Sequence, residues 1–221
     1  MDIKLHYVER GDNEPLVLLH GNGEDCTYFE HQLDFFSDQF RVIAVDTRGH
    51  GGSPRGTAPF TLEQFACDLG ALFDELHIVR AHLLGFSDGA NIALLFALAH
   101  PERVRSLILN SANLFPEGLT EQTRREIDQE YEDALAASDE RQLELLRLMI
   151  DEPHIDPAHL AALCMPTLVV AGTDDMIEAA HTRLIAESIP GAHLAFIEGT
   201  HFVAAENPIE FNRVVAAFLD R

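Results

Sequence analysis

Gly85-Phe86-Ser87-Asp88-Gly89 decides the reading of this chain, because of what stands on either side of it. Residues 81–84 form a short run of strand type, and residues 88–100 carry apolar side chains at helical spacing. A serine between two glycines at a strand-to-helix turn is the setting a nucleophile elbow requires. Gly85 and Gly89 lack a Cβ, so strand and helix can close around a serine held at the tip of a tight turn. Ser87 then presents its hydroxyl at the amino end of a helix, whose dipole favours developing negative charge. Taken alone the pattern also fits an ordinary Gly-Ser turn; the flanking strand and helix give it meaning.

The same alternation extends in both directions. Strand-length runs stand at 15–19, 41–46, 81–84, 104–110, 167–171 and 193–197, most of them apolar throughout, as strands covered on both faces should be. Helical patterns separate them at 26–39, 62–76, 88–100, 178–188 and 208–219. Strand and helix in steady alternation predict an α/β fold, a mostly parallel, doubly wound sheet of about seven strands. The seventh is 3–9, which alternates apolar and polar residues. It is expected to pair antiparallel with 15–19 through the Gly11-Asp12-Asn13 turn.

Residues 114–163 break this rhythm with 13 acidic side chains against 4 arginines, and with helical spacing over 121–137 and 139–150. One reading is a solvated helical face. The other is a cap over the carboxyl ends of the strands, where open α/β sheets place their ligands. No linker or repeat divides the 221 residues, so a single domain, 1–221, carrying this insertion is expected.

The whole chain has Lys+Arg 15 against Asp+Glu 37, a formal charge of −22. A field of that sign repels polyphosphate and anionic bilayers, so neither nucleic acid nor membrane is an expected partner. The longest wholly apolar run, 92–99, is far short of the roughly 18 residues that suggest a membrane span. Cys26, Cys67 and Cys164 are odd in number and lack a C-x-x-C pair, which fits free thiols. With no signal peptide visible after Met1, a cytoplasmic location is expected.

A serine hydroxyl needs a base to take its proton and a third group to orient that base. Gly199-Thr200-His201-Phe202 follows the run 193–197, and Asp174-Asp175 follows 167–171, so a histidine and two candidate carboxylates reach the loops where Ser87 lies. His20-Gly21-Asn22-Gly23 follows 15–19. Its glycines free backbone N–H groups, and the amides of Asn22 and Asp88 are assigned to an oxyanion hole, with His20 read as structural. The glycine-rich turn 46–53 lacks a phosphate-binding lysine pattern; Asp46 and Arg48 are expected to pair and brace it. Phe86, Phe115 and Phe202 flank these motifs and are expected to line an apolar substrate pocket. Metal-binding His/Cys spacings and a dinucleotide fingerprint are absent, so no metal or organic cofactor is expected.

Five motifs in register, at 20–23, 46–51, 85–89, 172–175 and 199–201, make the sequence resemble the α/β-hydrolase superfamily over nearly its whole length, in its serine esterase and lipase-like branch. In that family the acid lies three residues after the glycine, which selects Asp175 over Asp174. The resemblance implies Ser87 as nucleophile, His201 as general base and acid, Asp175 as the group that orients the imidazole, and a small acyl substrate such as a carboxylic ester. The serine at position 87 sets the chain apart from the dehalogenase and epoxide-hydrolase branches, which use a carboxylate nucleophile. The Ser-Asp-Gly elbow is similar to that of valacyclovir-hydrolase-like members, which suggests an Asp88 carboxylate facing an amine-bearing substrate. The short insertion implies a shallow or open pocket. Hydrolysis of a carbon–carbon bond, a proton-abstracting lyase step and a non-catalytic receptor are the competing readings.

Overall fold

The structure, a computed structural model, describes residues 2–220. Seven strands form one sheet: β1 (Tyr7–Arg10), β2 (Glu14–Leu19), β3 (Phe40–Val45), β4 (Ala81–Phe86), β5 (Val104–Asn110), β6 (Thr167–Asp174) and β7 (His193–Thr200). Their order is β1-β3-β2-β4-β5-β6-β7, and every neighbouring pair is parallel except β1 with β3.

Alternation along each strand sorts its side chains onto two faces, and both faces are apolar. Val17, Leu19, Ile43, Val45 and Leu83 pack into one buried cluster with α2 (Leu62–Glu75) and α3 (Asp88–Ala99), while Leu16, Leu18, Val42, Ala44 and Leu84 pack into a second with α1 (Glu30–Phe36) and α8 (Pro208–Leu219). That two-sided covering is why the strands read as nearly unbroken apolar runs. Each leucine or isoleucine taken fully out of water there contributes about 1.5–3 kcal/mol.

The expected hairpin between the first two strands is not formed. β1 pairs with β3, Tyr7 opposite Val45 and Arg10 opposite Val42, because β2 has both edges occupied by the parallel strands β3 and β4. The chain crosses the start of β3 at Gly11, whose φ is +81° and where a Cβ would lie 2.1 Å from the Phe40 carbonyl oxygen. Only glycine fits that crossing.

Between β5 and β6 the chain builds α4 (Glu121–Ala137) and α5 (Glu140–Asp151), flanked by 3-10 turns at Pro116–Gly118 and Pro157–Ala162. Thr120 and Asp139 cap the two helices by accepting from the N–H groups of Thr123 and Gln142. Their shared buried cluster is small: Leu119, Ile127, Ala134, Leu143, Leu146 and Ile177. The remaining segments are α6 (Ala179–Ser188) and α7 (Val203–Glu206), and the first helix is shorter than the spacing over 26–39 suggests, opening as a 3-10 turn at Cys26–Phe29. Among the described residues no helix is long and apolar enough to cross a membrane.

Candidate active site

The parallel register brings the carboxyl ends of the strands level. Leu19 lies opposite both Val45 and Gly85, Phe86 opposite Asn110, and Asp174 opposite Thr200. The residues that follow, Ser87, Asp175 and His201, therefore emerge at one edge of the sheet although 114 positions separate the first from the last. Ser87 has φ +52°, a left-handed value that a serine tolerates only under constraint. Gly85 and Gly89 supply it: a Cβ on Gly85 would lie 2.2 Å from the Gly89 carbonyl oxygen, and one on Gly89 would lie 2.0 Å from that of Leu19.

Ser87 Oγ is 3.0 Å from His201 Nε2, and His201 Nδ1 is 2.6 Å from Asp175 Oδ1. The carboxylate receives three further donors: Ile177 N–H on Oδ1 at 3.0 Å, and on Oδ2 the Gly172 N–H at 3.1 Å and the Ser111 hydroxyl at 2.6 Å. Burial alone would raise the Asp175 carboxyl, but the hydrogen bond and charge of His201, with the Ser111 and Ile177 donors, outweigh it and hold the group below its ordinary range. An ionised carboxylate thus faces Nδ1, which leaves Nε2 as the lone-pair side toward the serine. A hydroxyl, an imidazole and a carboxylate in that order can move a proton off the oxygen and stabilise the imidazolium that forms.

Asp88 opens α3, where the first N–H groups of a helix have no acceptor within it. Its side chain is 8% exposed and Oδ2 has no hydrogen-bond partner in the protein; burial pushes this carboxyl up to about 6. Asn22 lies in a loop fixed on both sides, with the Gly21 N–H on Glu24 and the Gly23 N–H on His50 Nε2. His20 braces the same loop from below, with Nδ1 donating to the Gly21 carbonyl and Nε2 accepting from the Thr47 N–H.

The cavity in front of Ser87 measures about 20 Å³, room for about one water. Met149, near the end of α5, and Glu152, just after it, are among its lining residues. Asp88, Asn113, Leu119, Met176, Ile177 and His201 complete the lining. Of the expected pocket residues only Asp88 is among them. Phe86 instead stacks on Tyr28 with ring centres 4.3 Å apart and packs beside His201, Phe115 packs edge-on against His181, and Phe202 is 42% exposed. A residue beside a motif points to whichever face the turn dictates, which adjacency in sequence does not reveal. Burial raises the Glu152 carboxyl, and the charges of Glu63 and Asp88 add to the effect; its Oε2 accepts from the Leu62 N–H.

Asp46 and Arg48 do not pair. Asp46 turns into its own loop and accepts from the N–H groups of Cys26 and Gly52 and from His6 Nδ1, each at 2.7 Å. Arg48, fully buried, reaches the other way to Asp68 on α2 and to Asp2. Two residues apart in a turn, the side chains diverge. Among the described residues, His6, Cys26 and Asp46 bring metal-ligating atoms within 4.8 Å of one another, but the hydrogen bonds just described already satisfy the Asp46 carboxylate.

The signals that sequence reading missed are Ser111, Asn113, Met149, Glu152 and Met176, none of which lies in a recognisable motif. Ser111 alone left a trace, as the polar residue directly after an apolar strand run.

Comparison with known proteins bears on the family and the fold. Residues 14–148 match the family model of the alpha/beta hydrolase fold. The 3-oxoadipate enol-lactonase 2 of Acinetobacter baylyi is 26% identical, over 100% of this chain and 94% of its own. The 2-hydroxy-6-oxononadienedioate/2-hydroxy-6-oxononatrienedioate hydrolase of Burkholderia vietnamiensis is 29% identical, over 100% and 92%. A thermophilic esterase from Thermogutta terrifontis, in its malate-bound structure, superimposes with a TM-score of 0.82 at 25% identity, covering 99% of this chain and 93% of that one. The match covers well over half of the chain, and its seven-stranded sheet has the layout the family requires: the protein belongs to the α/β-hydrolase fold family and has hydrolase enzymes as its relatives.

Proposed function

We propose that this protein is a serine hydrolase that cleaves a carboxylic ester, or a similarly activated small acyl compound, through an acyl-enzyme. The observation that carries the reading is the continuous chain Ser87 Oγ, His201 Nε2 at 3.0 Å, and His201 Nδ1 to Asp175 Oδ1 at 2.6 Å. Ser87 Oγ attacks the acyl carbonyl while His201 takes its proton. The N–H groups of Asn22 and Asp88 hold the resulting oxyanion, and such donors lower a barrier by about 3–4 kcal/mol. The bond to the leaving group breaks, His201 returns the proton to it, and water repeats the sequence on the acyl-Ser87. Residues 114–163 act as the cap that shuts the site from solvent.

The lining favours a neutral or cationic substrate. Two carboxylates, Asp88 and Glu152, face the cavity, among the described residues no lysine or arginine does, and Asp88 Oδ2 is without a hydrogen-bond partner. An ammonium group placed there would pair with Asp88 and keep it ionised. A substrate carboxylate would meet only repulsion.

Turnover of a panel of short and long p-nitrophenyl esters by wild type and Ser87→Ala tests the reaction. Fast hydrolysis confined to short chains, abolished in the variant, is expected; a fluorophosphonate probe that left Ser87 unlabelled would return the chain to the reading of a non-catalytic receptor. For the substrate class, an α-amino ester is expected to react faster than its uncharged isostere in wild type and not in Asp88→Asn. Similarity to the Burkholderia hydrolase favours one second reading, carbon–carbon bond hydrolysis by the same residues. Trapping of a covalent acyl-Ser87 separates it from ester cleavage.

A further inference from the structure

Five parallel strands hand the chain directly to residues already placed in or beside the site: β2 to His20, β3 to Asp46, β4 to Ser87, β6 to Asp175 and β7 to His201. The sixth, β5, hands it to Ser111, which no step above employs. We infer that Ser111 is a positioning residue, one that aims the Asp175 carboxylate at His201; the inference rests on the triad reading proposed above.

The Ser111 backbone is held in an unusual state. Its φ is +55°, close to the +52° of Ser87, and these two serines directly follow the neighbouring strands β4 and β5. A left-handed value is disfavoured for any residue with a Cβ, and glycine would adopt it freely. The residue is 1% exposed, and its N–H is bound to the Val170 carbonyl at 2.8 Å, so the conformation is fixed from outside. What serine adds over glycine at this position is the hydroxyl.

That hydroxyl has one direction open to its proton. Asn110 Nδ2 donates to Ser111 Oγ at 2.7 Å, so the oxygen is already an acceptor there, and its own O–H points to Asp175 Oδ2 at 2.6 Å. A carboxylate turns easily about its last side-chain bond, where the torsional wells are broad. Backbone donors from Gly172 and Ile177 hold one oxygen each at 3.1 and 3.0 Å; the Ser111 contact is shorter and comes from the end of the neighbouring strand β5. It pins Oδ2 and so leaves Oδ1 facing His201 Nδ1. Ser111 is not among the residues that line the cavity, and its hydroxyl is directed to Asp175.

The test compares Ser111→Gly, Ser111→Ala and Asn110→Ala with wild type and Ser87→Ala on one p-nitrophenyl ester. Ser111→Gly removes the oxygen and relaxes the backbone, so it is expected to lower kcat about tenfold with KM within about twofold, while Tm stays level or rises. Ser111→Ala is expected to show the same kcat loss with a lower Tm, and Asn110→Ala a smaller loss of about threefold, because the hydroxyl can then turn away. Wild-type kcat in Ser111→Gly, with Ser87→Ala inactive, overturns the positioning role and leaves the triad standing. A fall in kcat that comes with raised KM and lowered Tm in both Ser111 variants also overturns it, marking the residue as structural. Turnover retained by Ser87→Ala removes the triad reading itself.

Discussion

Two walls enclose the site, and they are held by different forces. The sheet wall carries Ser87, His201 and Asp175, each one residue beyond a strand end, on top of two large buried clusters and a ladder of six parallel strands. The helical wall carries Met149 and Glu152 on or just after α5, above a cluster of six buried residues and a strongly acidic surface. It is tied to the sheet side by Leu148 of α5, which packs into the larger of the two clusters, and by polar contacts: Asn22 Nδ2 to the Leu145 carbonyl, Arg55 to Glu144, Arg141 to the Gly49 carbonyl, and Leu62 N–H to Glu152. The cavity between the two walls is small, about 20 Å³. On the proposed reading the sheet wall supplies fixed geometry for the chemistry, and the helical wall, with its smaller cluster, is expected to open for access, since segments with few buried apolar contacts open at low free energy.

The largest expected effect falls on the sheet wall. Ser87→Ala should cut kcat about 10⁴-fold or more while leaving Tm near wild type, read by ester turnover and thermal unfolding. Next, Leu84→Ala in β4 should cost about 3–5 kcal/mol of global stability in urea, whereas Ile127→Ala in α4 should cost about 2 kcal/mol and speed hydrogen exchange chiefly over 121–151. Equal losses, with exchange raised everywhere, would erase the distinction between the walls.

The junction of the two walls gives the pH prediction. Burial lifts Asp88 to about 6, above its value in the unfolded chain, so between about pH 4 and 6 the folded protein holds more protons than the unfolded one. The sign is therefore negative: stability falls as pH rises through that window. Asp88→Asn, which cannot ionise, should be about 2–3 kcal/mol more stable than wild type at pH 7.5 and no more stable at pH 4, measured by urea unfolding at both. The smallest effect belongs to the seam. Arg55→Ala removes a pair whose side chains are both more than a third exposed, so it should cost no more than about 1 kcal/mol. Its signature should be a lower KM for bulkier esters, as the cap opens more readily.

Legibility in the sequence followed the same division. Ser87, Asp175 and His201 were marked by glycines and strand runs, because a tight strand-to-helix turn permits few residue types and those types are conspicuous. Met149 was not, because a helix can present any of its faces and only packing selects one; Asn113, in the loop after β5, and Glu152, just past α5, were not, because the path of a loop or helix end is set by its tertiary contacts. The edge strand was misassigned for a related reason. A short turn at 11–13 suits a hairpin locally, and what diverts β1 to β3 is the occupation of both β2 edges by strands far along the chain.

By itself the amino-acid sequence determined the layered α/β architecture and the placing of Ser87, Asp175 and His201 directly after strand ends, since apolar period, glycine placement and strand-end position are local properties. Tertiary structure alone decided that Arg48 reaches Asp68 instead of Asp46, that Asp88 is left buried with an unpartnered oxygen, that Ser111 meets Asp175 between the neighbouring strands β5 and β6, and that Met149 and Glu152 line the cavity beside Ser87. Each of these depends on direction and distance between segments remote in the chain, and those are fixed only when both faces of the sheet are packed.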